Sequence, residues 1–98
     1  MQSYALEMGI TSLRLNKPYN MGSLYWQLND VWPVSSWATV DYYGTYKAAH
    51  YRIRQVHEQL MIHTLHDAKT GDYFTYIVNE YPDTHFCHCV LTAELYTG

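Results

Sequence analysis

Trp26, Asn29, Asp30, Trp32 and Trp37 crowd into one tract, Gly22-Ser23-Leu24-Tyr25-Trp26-Gln27-Leu28-Asn29-Asp30-Val31-Trp32-Pro33-Val34-Ser35-Ser36-Trp37, which holds every tryptophan of the chain. Indole faces stack on the C–H face of a sugar ring, while amides and carboxylates hydrogen-bond its hydroxyls. The tract therefore has the chemistry of a sugar site. Trp26 is a candidate platform, with core packing as its other reading. Asn29 and Asp30 are candidate partners for sugar hydroxyls, although Asx residues after a strand commonly form turns. Trp32 is a further candidate contact, and like Trp37 it also suits packing within the loop. Asp41 reads as a helix cap rather than a ligand, and Tyr42 and Tyr43 as packing residues.

The elements that would position this tract follow from periodicity. Leu6, Ile10 and Leu13, widened by Ala5 and Met8, predict a helix over 2–15. Asn16-Lys17-Pro18 ends it, because the residue before a proline is pushed out of the helical region. Met21 to Leu28 reads as a strand with apolar residues on both faces, which suits burial on both sides. Asn29 to Tyr43 reads as a long aromatic loop, since Pro33 cannot sit in a central strand. Tyr46, Ala49, Ile53, Val56 and Leu60 predict a second helix from about Gly44 to about Gln59, capped by Asp41 or Thr45. Lys47, Arg52 and Arg54 then read as its wet face.

The period changes to two after that helix. Leu60–His66 and Tyr73–Asn79 read as strands joined by the turn Asp67-Ala68-Lys69-Thr70-Gly71-Asp72. Glu80-Tyr81-Pro82-Asp83 breaks the pattern, and His85 to Leu95 reads as a third strand. The order resembles α/β architecture first and a sandwich afterwards, with a boundary near Gln59–Met61. One strand flanked by helices cannot bury its own edges, and three antiparallel strands do not complete a sandwich. The expectation is a piece of something larger.

The totals exclude several function classes. The chain has 98 residues and a formal net charge of -3, which offers no basic patch for nucleic acid. Its 48% hydrophobic and 15% charged content rule out a disordered tail. The 11 tyrosines against 2 phenylalanines suit polar clefts and interfaces. No apolar run is long enough for a membrane helix, no secretory leader is visible at residues 1–7, and no Asn-x-Ser/Thr sequon occurs. His63, His66, His85, Cys87, His88 and Cys89 invite a metal reading, but their spacing matches no zinc module, so a structural or surface role is preferred. In a strand, Cys87 and Cys89 would share one face at nearly the limit of disulfide reach.

The tract Gly22 to Val34, followed by Ser36-Trp37 and Asp41-Tyr42-Tyr43-Gly44, closely resembles β-mannosidases of glycoside hydrolase family 2. Lys47-Ala48 and His50-Tyr51 continue the likeness, and Gln2, Leu6 and Arg14 extend it more weakly towards the N-terminus. Beyond Leu60, Val78-Asn79 and the segment ending at Leu95-Tyr96 resemble the opening strands of the domain that follows the barrel in that family. The resemblance implies a mixed α and β chain: residues 1–59 as the C-terminal end of a (β/α)8 TIM barrel, and 60–98 as the first strands of an immunoglobulin-like β-sandwich.

It also implies a parent enzyme that removes terminal non-reducing β-mannose with retention, through two glutamates. Glu7, Glu58, Glu80 and Glu94 match neither catalytic motif, so no catalytic residue is expected in this chain and none of its own activity. Trp26, Asn29, Asp30 and Trp32 would be the substrate-binding share, at the carboxyl end of the last barrel strand. By the same resemblance the Trp26–Gln27 peptide bond is expected to be cis. The implied partners are a mannose-containing oligosaccharide or glycoside and the remainder of the parent barrel, with no nucleic acid, membrane, cofactor or metal. Animal members imply a lysosomal location. The alternatives are a non-catalytic carbohydrate-binding module and a structural remnant.

Overall fold

The computed structural model describes residues 1–94. Two helices pack together, an irregular aromatic segment wraps one side of them, and a β-hairpin is attached on the other. Helix α1 (Gln2–Leu15) forms where the apolar period placed it. Its backbone stops at Asn16, whose N–H bonds back to the Leu13 carbonyl at 3.3 Å, directly before Lys17-Pro18. Helix α2 (Ala48–Val56) is shorter than the predicted 44–59. The missing first turn has a clear cause. Asp41 Oδ1 accepts from the backbone N–H groups of Tyr43 and Thr45 at 2.9 and 2.8 Å, and Gly44 takes φ +82. This is Asx-turn backbone, with the glycine in the left-handed region. Lys47, extended at φ -73 and ψ 159, holds the N-cap position without a side-chain bond, so neither Asp41 nor Thr45 caps the helix.

The core is small. Ile10 of α1 meets Ile53 and Val56 of α2, with Leu6 and Tyr25 packed against them. Each such side chain contributes about 1.5–3 kcal/mol when fully buried. Arg52 Nε and Glu7 Oε2, 3.2 Å apart, join the two helices, so Arg52 does not simply face water.

Met21–Leu28 does not form the predicted strand. The nearest ladder-type pairings are single bridges, Asn29 with Val40 and Val40 with Tyr46. A strand exists only when a neighbour takes its N–H and C=O groups; among the described residues the Thr39 and Val40 N–H groups reach only the Gln27 and Leu28 carbonyls at its end, and no backbone neighbour runs along 21–26. The expected burial on both sides fails for the same reason. Tyr25 turns inward, whereas Leu24, Trp26 and Leu28 stand 103%, 75% and 55% exposed. The alternation is that of a strand; among the described residues no layer covers it.

The hairpin matches the period-two reading closely. Strands β1 (Leu60–His66) and β2 (Tyr73–Asn79) pair antiparallel, from Leu60 opposite Asn79 to His66 opposite Tyr73. The Thr64 and Thr75 hydroxyls bond across it at 2.9 Å, and His66 stacks on Tyr73 with centroids 4.6 Å apart. The turn closes through Gly71 at φ +79, whose N–H donates to the Asp67 carbonyl at 2.8 Å. The predicted third strand does not form: residues 84–94 carry no regular secondary structure. The chain bends away after β2, with Asn79 Nδ2 donating to the Asp83 carbonyl at 3.1 Å, and Phe86 finds no apolar surface. Leu95 and Tyr96, the end of that expectation, lie outside the described residues.

Arg14 ties the hairpin to the helices. It is 7% exposed. Its guanidinium donates to the carbonyls of Val56 (through Nη1) and Glu58 (Nη2, 2.9 Å) and to Glu80 Oε1 (Nε, 3.1 Å). Lys17 pairs with the same carboxylate oxygen. One side chain of α1 thus holds the end of α2, the start of β1 and the residue after β2.

With a radius of gyration of 16.4 Å, the chain is more open than the roughly 13 Å of a compact domain of this length.

Candidate functional site

The aromatic tract is held by a polar network that begins at Asp30. This carboxylate is buried. Ser36 Oγ donates to Oδ1 at 2.5 Å, and Lys47 Nζ stands 3.3 Å from Oδ2. The Ser36 hydroxyl in turn accepts from the Ala38 N–H at 3.0 Å. Asp30 N–H donates to the Val40 carbonyl at 3.0 Å. The segment Asp30–Trp37 is therefore a closed loop pinned at its neck. Lys47, read from sequence as part of a wet helix face, points at this neck instead, because the helix starts one residue later and leaves Lys47 on the loop.

Thr39, fully buried, anchors the return of the loop. Its hydroxyl donates to the Leu28 carbonyl at 3.1 Å, and His50 Nδ1 lies 3.2 Å from it. Tyr46 stacks on His50 with centroids 4.5 Å apart and planes 16° from parallel. Gln2, at the start of α1, donates to the Trp37 carbonyl at 2.6 Å. Both helices thus hold the loop.

The tract's aromatic groups fall into two places. Trp32 and Trp37 line a concavity of about 220 Å³ with Gln27, Asp30 and Ser36. Trp37 Nε1 donates to Gln27 Oε1 at 3.1 Å, and Gln27 Nε2 donates to the Asn29 carbonyl at 2.7 Å. Trp26 lines a separate concavity with Leu6, Ile10 and Leu24. The Trp26–Gln27 bond is cis. Asn29 is exposed, its Nδ2 donating to the Asp30 carbonyl at 3.2 Å. Of the four residues singled out as sugar contacts, Trp26, Asn29 and Trp32 present their side chains outward, and Asp30 turns inward. Gln27, Ser36 and Lys47 were not singled out. Gln27 was legible as an amide between two candidates, whereas the charge of Lys47 and its share in the family likeness did not place it at the loop.

Electrostatics divides the acidic residues. The Ser36 hydroxyl, and after it the Lys47 ammonium, hold the Asp30 carboxyl below its ordinary value of 3.8, although desolvation works the other way. Lys17 first, and Arg14 after it, do the same for Glu80 against an ordinary 4.5. A carboxyl depressed by folding stabilises the fold fully above its unfolded value and loses that contribution as pH falls through the folded one. Stability measured by urea titration is therefore expected to be flat between pH 7 and about pH 5.5, and to fall below about pH 4.5. Double substitution to Asp30→Asn and Glu80→Gln should flatten that descent. An unchanged acid limb in the double variant would show that other groups control it. Among the described residues, no group of three or more His, Cys, Asp or Glu side chains gathers as a metal site.

No protein-family model matches the chain. Relatives do. β-Mannosidase of Mus musculus is 38% identical over 80 residues, covering 82% of this chain and 9% of the relative. This chain is similar to a segment of β-mannosidases. β-Mannosidase A of Aspergillus flavus is 37% identical over 60 residues, covering 61% of this chain and 7% of the relative. The crystal structure of β-D-mannosidase from Dictyoglomus thermophilum superimposes with a TM-score of 0.71 at 35% identity, over 80% of this chain and 9% of that one. The chain thus spans less than a tenth of these β-mannosidases.

Proposed function

We propose that the chain is the segment of a β-mannosidase that forms one wall of the sugar site. In this reading 1–59 supply the last strand, loop and helix of a (β/α)8 barrel, and 60–98 begin an immunoglobulin-like sandwich. The observation that carries it is the helix–extended segment–helix order in which Leu24, Trp26 and Leu28 stand uncovered beside a pinned aromatic loop. Flanking barrel strands would cover these side chains and pair the backbone of 21–26, which has no backbone partner among the described residues. Trp26, Asn29 and Trp32 would touch the terminal mannose of a glycan or oligosaccharide. Asp30 would contribute by fixing the loop that carries Trp32. The parent would hydrolyse terminal β-mannosides with retention, and an animal parent would work in the lysosome.

The two catalytic glutamates would belong to earlier barrel strands. The glutamates here are otherwise engaged or placed: Glu7 pairs with Arg52, and Glu80 pairs with Arg14 and Lys17. The isolated chain is therefore expected to give no turnover of an aryl β-mannoside. Mixing it with a separately produced barrel portion carrying both glutamates should restore turnover. Activity in the isolated chain, or no restoration on mixing under conditions where the two parts associate, would overturn the reading. The concavity between Trp32 and Trp37 favours one second reading, a sugar-binding module. A mannose-induced change in tryptophan fluorescence of the chain alone would support it.

A further inference from the structure

The Trp26 side chain stands outward, so the backbone on either side of it sets where it projects. That backbone converges on Thr39. The Thr39 N–H is shared between the Gln27 and Leu28 carbonyls at 3.2 and 3.1 Å. The Thr39 hydroxyl donates to the same Leu28 carbonyl at 3.1 Å, and the Tyr25 hydroxyl lies 3.5 Å from it. Tyr25 itself packs against Ile10, Ile53 and Val56. Both neighbours of Trp26 therefore meet at one fully buried residue.

A proton count at the Thr39 oxygen assigns the histidine beside it. A threonine hydroxyl has one proton to give and two lone pairs to receive with. A carbonyl can only accept, so that one proton lies toward Leu28. His50 Nδ1, 3.2 Å from the hydroxyl, must then carry a proton of its own and donate it. With a bare Nδ1, two lone pairs would face each other at a buried residue, which is costly. The neutral ring is thereby held as its Nδ1–H tautomer, with Nε2 bare. Tyr46, stacked on the ring at 4.5 Å, and Tyr51, edge-on at 6.4 Å, fix its plane. The backbone adds a second tie. The His50 N–H donates to the Lys47 carbonyl, and the Lys47 N–H to the Thr39 carbonyl, each at 2.9 Å.

We propose that His50 is a positioning residue for the tract. Through its Nδ1–H and the Thr39 hydroxyl it holds the Gln27–Leu28 backbone beside which Trp26 projects. What Trp26 then does toward a sugar rests on the reading above; the relay itself does not. Its place is distinct from that of the Asp30 neck, which holds the loop carrying Trp32.

The test is nuclear magnetic resonance of the 98-residue chain with isotope-labelled histidine, at about pH 8.5, where an ordinary imidazole is neutral. His50 Nδ1 should read as proton-bearing and Nε2 as bare. A bare Nδ1 overturns the proposal, and this measurement depends on no variant folding. Two variants then separate the relay from packing. His50→Asn places an amide N–H where Nδ1 lies, and His50→Gln places it where Nε2 lies. The Trp26 indole N–H resonance, identified by its loss in Trp26→Phe, should keep its wild-type position in His50→Asn. It should move in His50→Gln and in Thr39→Val. The Trp32 resonance should stay in place in all three. Equal movement in the Asn and Gln variants, no movement in either, or Trp32 moving as far as Trp26 would each reduce His50 to packing and overturn the role. None of these readouts involves sugar, so they hold or fail apart from the sugar-site reading, which turnover on mixing decides.

Discussion

Replacing Arg14 with alanine is expected to lower the free energy of unfolding by about 2–4 kcal/mol, the scale expected when two buried carbonyls lose a charged donor. The side chain is 7% exposed and bonds to two carbonyls and a carboxylate. Without it, the Val56 and Glu58 carbonyls lose their guanidinium partner at the join between α2 and β1. Glu80 keeps Lys17. A small domain has only about 5–15 kcal/mol in total, and the core here is built on Ile10, Ile53 and Val56. Arg14→Lys should recover part of the loss, since a point charge can serve Glu80 but cannot reach both carbonyls with a planar fork. Glu80→Gln should cost far less than Arg14→Ala. Urea unfolding followed by tryptophan fluorescence and by far-ultraviolet dichroism measures all three. A loss below about 0.5 kcal/mol for Arg14→Ala, the range of ordinary surface changes, would show that the hairpin is held by other contacts.

That prediction rests on a feature the sequence hid. Arg14 falls on the apolar face of α1, where a lone arginine gives no hint of which carbonyls it will meet. Local patterns were legible wherever the deciding interaction was also local. The hairpin depends on alternation and a glycine turn, so Leu60–His66 and Tyr73–Asn79 were readable to the residue. Helix α1 depends on its own period and on the Lys17-Pro18 stop. Helix α2 was overextended because Asp41 could cap a helix or form an Asx turn, and only the position of Gly44 at φ +82 decides between them. The segment 21–28 was misread because a strand is a property of its neighbours as much as of itself. In the candidate site, residue types marked the tract, and the cis bond at Trp26–Gln27 agrees with the family likeness. The Asp30–Ser36–Lys47 neck was beyond reach, since the loop must close before those side chains meet.

Within a reassembled enzyme, Asp30→Ala should reduce kcat/KM more than Trp26→Ala does, even though only the tryptophan would lie against sugar in the proposed reading. Trp26 offers one aromatic face. Removing it takes away stacking worth about 0.5–1.5 kcal/mol, or roughly 2- to 13-fold, with much of the effect in KM. Asp30 fixes a whole loop. It accepts from Ser36 and pairs with Lys47, and its loss releases the neck that sets Trp32, Trp37 and Gln27 in place. A misplacement of about 1 Å among positioning residues costs on the order of 100-fold. The loss should appear in kcat as well as KM. Asp30→Asn should fall between the two, since the amide oxygen still accepts from Ser36 while the pairing with Lys47 is lost. Steady-state kinetics with an aryl β-mannoside separates the cases. If Asp30→Ala raises KM alone, and by less than Trp26→Ala, then Asp30 meets substrate directly and the loop holds its shape without it.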